Sequence, residues 1–145
     1  MCSMEVFLMI SMLTIEPRYQ ETDKMGIIHH SVYPIWYEMG RVKYCKDMGL
    51  PFHVIEEKGV MLAMYYLTST YLKPTLFGQT YRMETKLTQL TKVRLYFEYR
   101  LYDDLNECVH IGTTELIWLN KDLKPTNVSK SHPEIYDAFL KATAS

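Results

Sequence analysis

An α+β fold, with five antiparallel strands wrapped around one long helix, is the architecture this sequence predicts. Three observations predict it. One stretch of helical periodicity with its own stop signal runs from Ser31 to Gly49, a strand-like run precedes it, and four strand-like runs follow with no comparable helix between them. Strands in succession after a single helix exclude a doubly wound parallel sheet, in which helices alternate with strands. Sheet faces rich in Val, Leu, Phe and Tyr must be covered, and a strongly twisted sheet closing on one apolar helix does this with the fewest elements.

The first strand is expected from Met9 to Tyr19, with Pro17 at a frayed or edge end. A polar loop with Asp23 and Gly26 follows, then His29 and His30, and Ser31 is a suitable N-cap. Val32, Ile35, Trp36, Met39, Val42 and Met48 recur at helical spacing, Pro34 sits in the first turn, and Gly49 with Pro51 gives the stop. Tyr33, Tyr37 and Tyr44 flank this stripe, so the helix is expected to be largely buried. Val60 to Leu72 is mostly apolar up to Lys73-Pro74, as in a strand covered on both faces for much of its length. From Thr80 to Leu90, Tyr81, Met83 and Leu87 alternate with Arg82, Glu84 and Lys86, which predicts one wet face. Val93, Leu95, Phe97, Tyr99 and Leu101 alternate with Arg94, Glu98 and Arg100 until Asp103 and Asp104, and Cys108 to Leu119 forms the last strand. After a polar turn at Asn120 to Lys124, Ser131 as cap and Pro133 in the first turn open a short C-terminal helix to about Ala142.

Composition narrows the function. The length of 145 residues fits one domain with a substantial core, and 48% hydrophobic with 23% charged residues is ordinary for a globular protein. A formal net charge of −1 argues against general nucleic-acid binding, which needs a basic surface. Cys2, Cys45 and Cys108 are odd in number and far apart, so neither a disulfide framework nor a CxxC motif is present and a reducing cytoplasm is expected. The N-terminal run MCSMEVFLMISML has no Lys or Arg before its apolar part, carries Glu5 within it and offers no small-residue cleavage site, so an export signal is not expected. No apolar run approaches the roughly 20 residues that span a bilayer.

Chemistry concentrates between Arg18 and Arg41, where ionisable groups run into a helix start. Free N–H groups at such an end, with the helix dipole, can stabilise a carbonyl oxygen that becomes negative during a reaction. Asp23 is placed to act beside it, although Asp before Gly also makes an ordinary turn. His29, His30 and Asp23 lie close in sequence, but adjacent histidines diverge and no HxxxH or HExxH pattern follows, so no metal is expected. Gly26 stands alone, without the glycine pattern of a phosphate-cradling loop.

Tyr19, Asp23, Gly26, His30, Tyr33, Trp36, Glu38 and Arg41 stand in the register of a family pattern. The chain resembles the hotdog-fold acyl-CoA thioesterases of the 4-hydroxybenzoyl-CoA thioesterase type, from about Thr14 to Asn120, with the LKPTLFGQT turn at 72–80 and the alternating strand at 94–102 as weaker matches. The resemblance implies the hotdog fold over a single domain, 1–145, and hydrolysis of an acyl-CoA to a free acid and coenzyme A with no further cofactor. It assigns Asp23 as base or nucleophile and the His30 backbone N–H as oxyanion donor with its imidazole as a second contact. Tyr19 would orient the carboxylate or the substrate, and Gly26, Tyr33 and Trp36 would meet the substrate. Glu38 and Arg41 are given structural roles as an i, i+3 helix pair. Coenzyme A phosphates need cations, and Lys92 and Arg94 are the candidates, a solvated strand face being the equal alternative. The family pairs its sheets, which implies a homodimer or homotetramer. A hotdog module that binds acyl-CoA or acyl-carrier protein without turnover is the alternative, and a dehydratase is disfavoured because the His-Phe-Pro-Gly-type segment is missing.

Overall fold

Period-two alternation puts one face of each central strand onto the helix. The computed structural model describes residues 9–144. It contains β1 (Ile10–Ile15), α1 (Tyr33–Asp47), α2 (Phe52–Glu57), β2 (Met61–Tyr71), β3 (Tyr81–Leu90), β4 (Arg94–Tyr102), β5 (Cys108–Leu119), α3 (Val128–Ser131) and α4 (Pro133–Ala144). The strands form one antiparallel sheet in the order β1-β3-β4-β5-β2, the hotdog layout with α1 as the enclosed helix. Tyr81, Met83, Thr85 and Leu87 of β3 and Leu95, Phe97, Tyr99 and Leu101 of β4 are buried, while Arg82, Glu84 and Lys86 keep solvent contact. Gly40 lets α1 approach the sheet closely, since a β-carbon there would lie 2.5 Å from Thr85 Oγ1 and 2.7 Å from Met83 Cε.

The helix is buried on its aromatic side only. Tyr33, Trp36, Tyr37, Gly40, Tyr44 and Cys45 face the sheet, whereas Ile35, Met39 and Val42 are 51%, 44% and 43% exposed. Both stripes have helical spacing, and the stripe carrying Gly40 is the one that allows close approach. Ser31 does not cap α1. Val32 occupies the cap position, and the Ser31 hydroxyl and N–H both meet His29 Nδ1, at 2.8 and 3.2 Å.

Strand β2 is an edge, not a strand covered on both faces. Among the described residues it pairs only with β5, is bulged between Met64 and Tyr66, and leaves Tyr65 and Tyr66 61% and 59% exposed. Strand β1 stops at Ile15, because Pro17 has no N–H to extend the ladder, and Tyr19–Glu21 form a 3-10 turn. Helix α2 is too short to show a period and escapes sequence reading. Ser131 ends α3 instead of capping α4, with its hydroxyl 2.9 Å from His132 Nδ1. Cys2 and Glu5 lie outside the described residues, among which no helix is long and apolar enough to cross a membrane.

Candidate active site

After the 3-10 turn the chain makes a tight hairpin in which Thr22 bridges Ile28 and Ile27 bridges Leu76. Glu21 anchors its base. The carboxylate is buried and accepts the Arg18 N–H (2.7 Å) and the Trp36 Nε1–H (3.3 Å), and the Glu21 carbonyl accepts the His29 N–H (2.9 Å). Asp23 Oδ1 accepts the Met25 N–H at 2.7 Å and the Ile27 N–H at 3.4 Å, and Gly26 takes a φ of +80° that favours glycine. The turn expected of Asp23 is formed: Oδ1 closes it, and Oδ2 has no hydrogen-bond partner among the described residues.

At the start of α1 the His30 N–H has no acceptor among the described residues, while the His30 carbonyl accepts from the Tyr71 hydroxyl at 2.9 Å. A groove of about 340 Å³ collects Asp23, His30 and Tyr33 with Tyr71, Lys73 and Pro74. Tyr33 is its floor. Its hydroxyl donates to Thr75 Oγ1 (3.0 Å), and its ring stacks on His110 at 4.0 Å and meets Tyr71 edge-on at 5.2 Å. Burial pushes the Tyr33 phenol up and the His110 imidazole down to about 4, so His110 is neutral at pH 7. His110 Nε2 lies 2.5 Å from the Tyr37 hydroxyl, and its buried Nδ1 has no partner among the described residues.

The other sequence-predicted residues lie elsewhere. Gly26 shapes the hairpin without lining the groove. Tyr19 is 76% exposed and packs edge-on against Phe77 at 5.6 Å. Trp36 is a core residue held by Glu21. Lys92 is exposed, and Arg94 is ion-paired with Glu115, its guanidinium 4.5 Å above the Tyr65 ring. Arg94 pairs with Ile117, level with Ala63, and the eight residues from Ala63 to Tyr71 put it about 26 Å from the groove end of the sheet at ~3.3 Å per residue. Tyr71, Lys73, Glu21 and His110 were not legible as site residues. Lys73 was visible only as the end of a strand, and it pairs with Glu107 at 2.7 Å. Among the described residues no group of three or more His, Cys, Asp or Glu is arranged to hold a metal ion.

Residues 17–139 match the thioesterase-like superfamily. The chain belongs to that superfamily. The match runs past Asn120 into α4, so the C-terminal helix is part of the family domain, beyond the extent read from the motifs. The Bacillus subtilis protein YneP, provisionally named an acyl-CoA thioesterase, is 32% identical over 134 residues, 92% of this chain and 97% of the relative. The structure of the DHNA-CoA thioesterase of Staphylococcus aureus has a TM-score of 0.87 and 29% identity, covering 91% of this chain and 89% of that one. A hypothetical protein of Thermus thermophilus gives a TM-score of 0.84 and 32% identity, covering 90% of this chain and 97% of that one. By family, this hotdog protein is a thioester hydrolase.

Proposed function

We propose that the protein hydrolyses an acyl-CoA thioester to a free carboxylic acid and coenzyme A, with Asp23 and the His30 peptide as the reacting machinery. The observation that carries this reading is the joint placement, on one groove, of a carboxylate with a free oxygen and an N–H without an acceptor at the start of α1. Asp23 Oδ2 takes a proton from water as it attacks the thioester carbonyl, or attacks that carbonyl itself to form an acyl-aspartate anhydride that water then hydrolyses to the free acid, restoring the carboxylate. The His30 N–H receives the developing oxyanion, and collapse expels the thiolate, a good leaving group that needs no full triad. Tyr71 holds the carbonyl of the next peptide, between His30 and Ser31, and so fixes His30 on its C-terminal side. The carbonyl of the peptide that carries the His30 N–H, that of His29, accepts from the Val32 N–H at 3.0 Å.

A second copy completes the assembly in this reading. The long, tyrosine-rich edge of β2 invites pairing with another β2. Antiparallel pairing centred near Tyr66 would bring the partner's Lys92 and Arg94 towards the groove end of the sheet, where coenzyme A phosphates need cations.

Asp23→Asn tests the chemistry, because the amide oxygen preserves the turn while the base is removed. Release of free thiol from the best acyl-CoA is expected to fall on the order of 10²-fold or more. Turnover at the parent rate by the folded variant would overturn the assignment.

A further inference from the structure

The two groups that react in the reading above ride on different parts of the chain. Asp23 belongs to the hairpin, built by the bridge between Thr22 and Ile28 and by the Asp23 N–H, which donates to the Ile27 carbonyl at 2.8 Å. The His30 N–H belongs to the start of α1, because the carbonyl of its own peptide, that of His29, is held by the Val32 N–H. A carboxylate and an oxyanion donor act on one carbonyl only at a fixed separation, so the hairpin must be held against the helix.

Glu21, two residues before Asp23, holds it from both sides. Its main-chain carbonyl accepts the His29 N–H at 2.9 Å, and its carboxylate reaches the first turn of α1, where Oε2 accepts the Trp36 Nε1–H at 3.3 Å while Oε1 accepts the Arg18 N–H at 2.7 Å. Among the described residues the bond to Trp36 is the one side-chain hydrogen bond that joins residues 16–28 to α1. Glu38 and Arg41, expected from the sequence to pair along α1, form no ion pair with each other. The carboxylate that meets the first turn of the helix is therefore Glu21, and the Trp36 ring it holds lies edge-on to Tyr33, the floor of the groove, at 5.1 Å.

Packing alone does not call for a carboxylate at this place. Glu21 is 6% exposed, and its one cation, Arg18, stands 3.4 Å away with most of its side chain in solvent. Burying a carboxylate is costly, and an apolar side chain of the same length would fill the space without that cost. An apolar side chain cannot, however, accept from donors on two different elements, which fixes direction as well as distance.

We infer that Glu21 is the positioning residue that sets the separation of the Asp23 carboxylate from the His30 N–H, through its hold on Trp36. The inference rests on the thioesterase reading above.

The test measures release of free thiol from an acyl-CoA by the parent, Glu21→Met, Trp36→Phe and the double variant, each checked for folding by circular dichroism. Both single substitutions remove the same bond, so each is expected to lower kcat by roughly 10- to 100-fold, the scale of a hydrogen bond to a charged group. KM should stay at the parent value, because neither side chain lines the groove. The double variant should be no slower than the slower single one. Glu21→Gln keeps one acceptor oxygen, should lose less, and serves if Glu21→Met does not fold. Hydrogen exchange at the backbone amides of residues 21–30 follows the same hold without turnover: it should quicken in both single variants and no further in the double one. A parent protein that cleaves no acyl-CoA would sink the thioesterase reading, and the exchange rates would still decide whether Glu21 holds the hairpin to α1. Parental kcat in a folded single variant, or losses that multiply in the double variant, would overturn the inference.

Discussion

Replacing Gly112 by alanine tests how the sheet supports the candidate site. Gly112 in β5 lies opposite Ser69 on one side and Tyr99 on the other. A β-carbon there would sit 2.1 Å from Tyr37 Cζ and 2.2 Å from its hydroxyl oxygen. The ring has nowhere to go: it is 1% exposed, stacks on Tyr99 at 4.5 Å, and its hydroxyl is held by Ser69 Oγ (2.7 Å) and His110 Nε2 (2.5 Å). A normal carbon contact needs about 3.5 Å, so Tyr37 must retreat by roughly 1.4 Å, which breaks both hydrogen bonds. Overpacking costs about 1–3 kcal/mol and each lost bond about 1 kcal/mol, giving ~3–5 kcal/mol, or a melting temperature lower by roughly 9–15 °C at about 3 °C per kcal/mol. Thermal unfolding followed by circular dichroism measures it. In a Tyr37→Ala background the same substitution should cost far less, because the clash has no partner. A Gly112→Ala protein melting with its parent would refute the packing argument.

The remaining expectations concern the same neighbourhood. Tyr71→Phe keeps the ring against Tyr33 and His110 but frees the carbonyl of the peptide after His30, so the neighbouring His30 N–H is less well fixed and kcat should fall about 2- to 10-fold, the net worth of one hydrogen bond, with KM unchanged; an unchanged kcat would show that His30 is held without it. His110 is displaced by burial from 6.5 to about 4, so between these values the unfolded chain binds more protons than the folded one. Stability should therefore fall as the pH drops from 6.5 to about 4 and be independent of this group above 6.5, a difference of about 3 kcal/mol. His110→Phe should flatten the urea midpoint over that interval, and an unaltered profile would assign the dependence to other groups. For the β2 edge, light scattering should show a dimer or larger assembly, and Tyr65→Lys with Tyr66→Lys should shift it to monomer; a parent that is monomeric yet active would contradict the shared assembly.

Local periodicity by itself determined most of this protein's architecture. The alternation in β3 and β4, the helical stretch ended by Gly49, and the order of elements are properties of neighbours in the chain, so the α+β class and the five strands were legible without any tertiary information. The Asp23 turn and the approximate start of α1 were legible for the same reason, since their residues lie within one short segment, whereas the hairpin bridges around the turn and the cap at Val32 in place of Ser31 were not. What spacing could not distinguish was which of two helical stripes faces the sheet: the close approach at Gly40 turned the aromatic one inward and left Ile35, Met39 and Val42 at the surface. Nor could it show β2 as an edge, because an apolar run reads alike whether its second face is covered or open. Tyr71 meets His30 across 41 residues of chain, and His110 stacks on Tyr33 across 77. Only the pairing of β2 with β5 brings them there, because a contact between distant segments is set by strand register and sheet order, which no local pattern encodes.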